Sequence, residues 1–242
     1  MLLRILAFCA IINQASGNGG RLIDPPGRSS AWRDGFQTPR NNIDDNLSCG
    51  GFLTQLSNGG KCGVCGDPWN GKRENEAGGK YATGTIVRKY SIGQTINLQV
   101  DITSNRYGWM EFRICPNNDA TKAVTHDCLN AHVLQRADGN GTKTYITVKR
   151  YGVWNMTYKL PTDMKCTQCV LQWKYNTGDT WGVDEVTGKA CIGCGLQEQF
   201  YGCADVSIQE TGNNITPKSP RALTTKSPDS TAQVFVSHYN LF

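Results

Sequence analysis

Among the residues that most often ligate metals, this 242-residue chain holds 11 cysteines and only three histidines. Cys166-x-x-Cys169 and Cys191-x-x-Cys194, with residues 170–190 between them, have close to the spacing of a zinc ribbon. In an oxidising compartment the same residues read as disulfides instead. His126, His132 and His238 stand in no metal-ligand spacing and are read as structural or surface residues. Asp24, Asp67, Glu111, Glu198 and Asp205 are carboxylates of the kind glycoside hydrolysis needs, yet no spacing singles out an acid/base pair. The chain has no Gly-x-Ser-x-Gly elbow, phosphate-binding loop, His-Glu-x-x-His motif or EF-hand loop.

The first residues decide between the two cysteine chemistries. Residues 1–17 carry one cation, Arg4, then the apolar run Ile5 to Ile12, and close on Ala15, Ser16 and Gly17. That order describes a secretory signal peptide, with cleavage leaving Asn18 first. The apolar run is shorter than the ~20 residues that span a bilayer, and no later run approaches that length. The expectation is a secreted, extracellular protein with no membrane partner. Cys9 leaves with the signal. Cys49, Cys62, Cys65, Cys115, Cys128, Cys166, Cys169, Cys191, Cys194 and Cys203 remain, and their even number predicts five disulfides and no zinc. Counting does not say which cysteine pairs with which. Glycosylation sequons stand at Asn46, Asn140, Asn155 and Asn214.

The elements that must position these residues read as strands. Ile96, Leu98, Val100 and Ile102 alternate with polar residues, as do Met110, Phe112 and Ile114. Trp154, Met156, Tyr158 and Leu160 repeat the pattern, followed by Leu171, Trp173 and Tyr175, then Ala204, Val206 and Ile208. Tyr145 to Val148 adds a further β-rich stretch. Clusters such as Asp138-Gly139-Asn140-Gly141 separate the runs. No segment keeps a helical period, so the chain reads as all-β, with two antiparallel sheets packed as a sandwich. Leu22 to Ile92 reads as a long, disulfide-pinned irregular region. After Ile208, residues 209–242 shift to a Ser/Thr/Pro/Lys-rich composition, expected to be a disordered tail. The net charge is +5, and Lys and Arg are scattered apart from Lys149-Arg150, so nothing marks a nucleic-acid partner.

Several motifs resemble the auxiliary activity family 15 lytic polysaccharide monooxygenases, also called type-4 chitin-binding domains. They are Arg21-Leu22-Ile23-Asp24-Pro25-Pro26-Gly27-Arg28, Gly60-Lys61-Cys62-Gly63-Val64-Cys65-Gly66-Asp67-Pro68-Trp69, Ala77-Gly78-Gly79-Lys80-Tyr81, Trp173 to Gly178 and Gln197 to Asp205. The resemblance covers about residues 20 to 208, making residues 18–208 one monooxygenase-like domain. It implies an immunoglobulin-like or fibronectin-like β-sandwich with long disulfide-pinned loops, secretion, and binding of crystalline chitin or cellulose.

The resemblance also implies copper held by a histidine brace, in which an N-terminal His and a second His supply three nitrogens beside an axial aromatic residue. Here the sequence departs from it. The first position holds Gly19, or Asn18 if the extra glycine is an insertion, and the second holds Arg106. A guanidinium has no lone pair with which to ligate. The axial aromatic persists as Phe200, with Tyr201 beside it. Arg106 at ~4 Å from a divalent ion would repel it by about 8 kcal/mol at an effective dielectric of 20. The expectation is a non-catalytic polysaccharide-binding protein without a cofactor, chitin being the first partner and a cuticle- or shell-like matrix one setting. Trp32, Trp69, Tyr107 and Trp109 are the candidates to stack on sugar rings, with core packing as the competing role for each Trp. The alternative is a copper-dependent monooxygenase with a rearranged site that recruits His126 or His132.

Overall fold

The computed structural model describes residues 19–210. The expected signal peptide, Asn18, Asn214, His238 and the tail lie outside the described residues, apart from the first two residues of the tail.

Strands form where the sequence alternates. Ile96, Leu98, Val100 and Ile102 all point inward from β3 (Thr95–Ile102). β3 lies between β1 (Arg21–Asp24) and β7 (Gly152–Lys159), and β5 (Gln135–Arg136) completes a four-stranded antiparallel sheet in the order β1-β3-β7-β5. The second sheet has the order β2-β11-β8-β4-β6, from Arg88–Ser91, Gln199–Gln209, Cys166–Asn176, Gly108–Pro116 and Thr144–Ile146. Its edge pair β2/β11 is parallel, a departure from the expected all-antiparallel pairing. A small hairpin, β9 (Trp181–Val183) with β10 (Ala190–Ile192), stands apart.

The two sheets close on one core. Leu98 and Val100 meet Phe112, Trp173, Tyr175 and Phe200, and the Phe112 and Tyr158 rings cross edge to face at 4.9 Å. Burial of such side chains is the main stabilising term, at roughly 1.5–3 kcal/mol each.

The outer face of the second sheet is where the strand pattern misleads. Gln172, Tyr201, Cys203 and Asp205 alternate with core residues and would ordinarily be wet, but they are buried. The long segment between β1 and β2 covers them. Cys65 is bonded to Cys203, Gln172 Nε2 donates to the Val64 carbonyl at 2.6 Å, and Arg28 pairs with Asp205 at 2.7 Å. The segment is therefore a folded cover rather than wholly irregular, with a 3-10 turn at Ala31–Asp34 and α1 at Phe52–Ser57. A second short helix, α2 (His126–Ala131), starts at Thr125, whose side chain accepts from the Cys128 amide. Six residues are too few for a helical period to show in the sequence.

All ten cysteines of the described residues are paired: Cys49–Cys62, Cys65–Cys203, Cys115–Cys128, Cys166–Cys169 and Cys191–Cys194. Both C-x-x-C motifs close on themselves. Among the sequon residues described, Asn140 and Asn155 are exposed and Asn46 is half-buried.

Candidate functional site

Gly19 and Arg106 both border the Tyr175–Phe200 pair, Gly19 against the Phe200 ring and Arg106 at the Tyr175 hydroxyl. The Gly19 and Gly20 amides both donate to the Asp45 carbonyl, at 3.0 and 3.1 Å, and the Ser104 amide approaches the Gly19 carbonyl at 3.4 Å. Phe200 is fully buried on β11 and stacks on Tyr175 at 6.0 Å, which in turn stacks on Trp173 at 6.2 Å. This aromatic row ends directly beneath Gly19. A Cβ at position 19 would lie 2.4 Å from the Phe200 ring, so the ring occupies the space any side chain there would need.

Arg106 is fixed from both its backbone and its guanidinium. Its amide donates to the Tyr175 hydroxyl at 2.9 Å, and its carbonyl accepts from the Gly178 amide at 2.9 Å. Burial pushes the Tyr175 hydroxyl up to about 12, so it stays a neutral partner at physiological pH. Arg106 Nε donates to Asp179 at 2.9 Å and Nη1 pairs with Glu198, whose residue is only 4% exposed. Two carboxylates neutralise Arg106, and what disfavours a metal here is the missing imidazoles and the filled space above Phe200.

The residues present do not fit a three-nitrogen copper site. Among the described residues no group of three His, Cys, Asp or Glu could hold a metal ion. His126 and His132 do not approach the site. Both lie at α2, with His126 Nε2 at 2.8 Å from the Cys62 carbonyl and His132 Nδ1 at 3.0 Å from that of Cys128. The five sequence-selected carboxylates are each engaged separately. Asp24 holds Arg88, Glu111 holds Arg113, Asp205 holds Arg28 and Gln168, Glu198 holds Arg106, and Asp67 holds Asn75. Burial raises the Asp67 carboxyl above its ordinary value. No two of them share a partner.

The four aromatic candidates separate. Tyr107 follows Arg106 directly and is 44% exposed. It adopts a left-handed backbone (φ 53°), and the next residue, Gly108 (φ 91°), has no room for a Cβ, which would lie 2.0 Å from the Asn176 carbonyl. Asn105 pins this turn by donating to the Val148 and Arg150 carbonyls. The tight turn thus ends the 104–106 segment and turns Tyr107 outward. Trp32 is half-buried, with Arg33 and Arg40 over its ring at 4.4 and 5.3 Å. Trp69 is exposed, and its ring is approached by Lys61 and Arg73. Trp109 lies half-buried beneath Lys143 and Lys174. The last two belong to the outer face of the second sheet, whereas Phe200 and the brace positions belong to its core side. Trp181, missed by sequence reasoning, is 66% exposed at the start of the β9–β10 hairpin. The loop before it, Gly178–Thr180, is the one that holds Arg106. Its only signal in the sequence is a lone Trp outside any alternating run.

The family of cellulose-degrading lytic polysaccharide mono-oxygenases matches residues 20–206. Among solved structures, a lytic polysaccharide monooxygenase of family AA15 from Thermobia domestica, in its Cu(I) state, is 44% identical in sequence. The match covers 78% of this chain and 98% of that one, with a TM-score of 0.75. The fusolin of Wiseana entomopoxvirus spindles is 15% identical over 62% of this chain and 48% of its own, with a TM-score of 0.32. No curated protein sequence matches significantly.

Proposed function

This chain belongs to the lytic polysaccharide mono-oxygenase family, and from that premise we propose that it is a secreted polysaccharide-binding protein that no longer cleaves its polymer. Insoluble chitin is the first partner to test and cellulose the second. The observation that carries the reading is Arg106, ion-paired to Glu198 and Asp179 in the place the resemblance assigns to an imidazole. A guanidinium offers a metal nothing, and its two partners are already spent on it. Gly19 supplies no side chain in the other place, and the Phe200 ring stands where one would begin.

Tyr107 and Trp181 present aromatic surface beside this end of the sandwich and are our candidates for stacking on sugar rings. Secretion is supported by the leader-like residues 1–17 and by five disulfides, bonds that persist in oxidising compartments. The described residues contain no helix long and apolar enough to cross a membrane.

The test is a pull-down of the mature chain on insoluble chitin and cellulose, with and without copper, followed by a search for oxidised oligosaccharides in the presence of copper and a reductant. We expect retention that copper does not alter and no oxidised product. Copper binding at nanomolar affinity, or product above a protein-free control, restores the enzymatic alternative.

A further inference from the structure

On the outer face of the second sheet, cations gather that the fold does not neutralise. Lys174 of β8 lies over two rings, 5.6 Å from the centre of Trp109 and 5.8 Å from that of Tyr201. Lys143, just before β6, lies 4.1 Å above Trp109, and Lys61 lies 5.4 Å from Trp69. None of these three ammonium groups has an ion pair or hydrogen bond among the described residues. Glu111 is the carboxylate whose field reaches Lys174, but it is taken by Arg113 and by the Thr142 hydroxyl at 2.9 Å. Arg113 Nε is itself buried without a partner.

Lys61, Trp69, Arg113, Lys174, Gln199 and Tyr201 line a groove of about 350 Å³ here, and no Asp or Glu lines it. His126 also faces it, with Nε2 held at the Cys62 carbonyl. Burial and the charges of Arg113 and Lys143 bring the Lys174 ammonium down to about 8. A positive field thus stands in this groove, offset only from outside its lining by Glu111, which Arg113 already holds.

We propose that this groove binds the anionic group of an acidic saccharide, a uronate carboxylate or a sulfate ester, on Lys61 and Lys174, with the sugar against Trp69. The volume falls in the range of small-ligand sites. Trp69 keeps 42% of its surface open, with Lys61 and Arg73 near its ring, so part of its apolar surface stays accessible to a sugar. Gln199 and Asn130 also line the groove, the Gln199 amide being held by Asn176 and the Tyr201 hydroxyl. The site is separate from the Arg106 end. Phe200 and Tyr201 are neighbours on β11, and successive side chains of a strand point to opposite faces. The proposal therefore stands whether or not the chain binds neutral chitin.

The test is calorimetric titration of the mature chain, near physiological salt, with polygalacturonate, a sulfated glycan and a neutral soluble chitin oligosaccharide. We expect at least one acidic polymer to bind, and the two acidic arms to say which anion is preferred. Lys61→Gln and Lys174→Gln should each weaken that binding by about tenfold. Lys159→Gln, an exposed lysine on the other sheet with the same change in charge, should weaken it less than about twofold. Lys61 is exposed, so its variant tests the groove even if Lys174→Gln folds poorly. Equal losses from Lys61→Gln and Lys159→Gln would reduce the effect to bulk charge and overturn the site. Acidic polymers binding no better than the neutral oligosaccharide would overturn it as well.

Discussion

The Arg106 end of the sandwich and the Lys174 face of its second sheet each hold half-buried cations, and they manage them in opposite ways. At the first, the cation is closed off. Glu198 and Asp179 pair with Arg106, Tyr175 and Gly178 hold its backbone, and Phe200 fills the space a side chain at Gly19 would need. At the second, three lysines lie over aromatic rings with no carboxylate of their own. A satisfied charge cluster holds structure and offers a ligand little. An unsatisfied one costs stability and stands ready for an anion. Arg106 and its partners therefore form an internally satisfied cluster, while no Asp or Glu lines the groove across the sheet.

The strongest way to break this contrast is to remove Arg106. Arg106→Ala leaves Glu198 buried without its cation, and a loss of about 3 kcal/mol in urea unfolding is expected. The double variant Arg106→Met, Glu198→Gln should lose much less, because no charge is stranded. If the two lose the same, the ion pair is not what closes this end.

Gly19→Ala sharpens the steric half of the argument. Its Cβ meets the Phe200 ring at 2.4 Å, so about 1–3 kcal/mol should be lost. For the same reason the pair Gly19→His, Arg106→His should take up no stoichiometric copper by calorimetry, although it restores both imidazoles. Uptake by that pair would mean that Phe200 yields easily.

At the open face the effects are smaller and depend on pH. The Lys174 ammonium is held down to about 8 in the folded protein, against an unfolded value near 10.5. Between those values the unfolded chain binds the extra proton, so stability should rise as pH climbs from about 8 towards 10. Tyr175, raised to about 12, acts in the opposite direction only above about pH 10. Lys174→Met should gain on the order of 1 kcal/mol at pH 7 and abolish the rise. Denaturation curves at pH 7 and pH 9.5 read both outcomes.

Trp181→Ala should change stability by less than about 0.5 kcal/mol, since its ring is mostly in solvent. It should nevertheless reduce retention on insoluble chitin. Unchanged retention would remove Trp181 from the proposed binding surface.

The legibility of this molecule follows the range of its interactions. Strand β3 could be read from Ile96, Leu98, Val100 and Ile102 because alternation is a local property of the backbone. The burial of Gln172 and Asp205 could not, since it depends on a cover more than a hundred residues earlier in the chain. By sequence alone, Trp69 and Tyr107 are both candidates to stack on sugar rings near the motif loops, yet they lie on different faces. Trp181 escaped notice because a single aromatic in a Gly- and Asp-rich stretch has no period.

What the sequence determined by itself was chemical identity and number: ten cysteines behind a leader-like segment, strands enough for a sandwich, and no histidine at either position where the resembling family holds copper. Composition and period-two patterning carry such facts because each rests on one residue or its near neighbours. The tertiary structure alone decided which cysteines pair, and that Arg106 meets Glu198 and Asp179. It also decided that Lys61 and Lys174 share a groove empty of acids. The longest of those contacts, Cys65–Cys203 and the Arg106 and Lys61–Lys174 groupings, join residues 73 to 138 positions apart, and only the packing of the sheets and their cover brings them within reach.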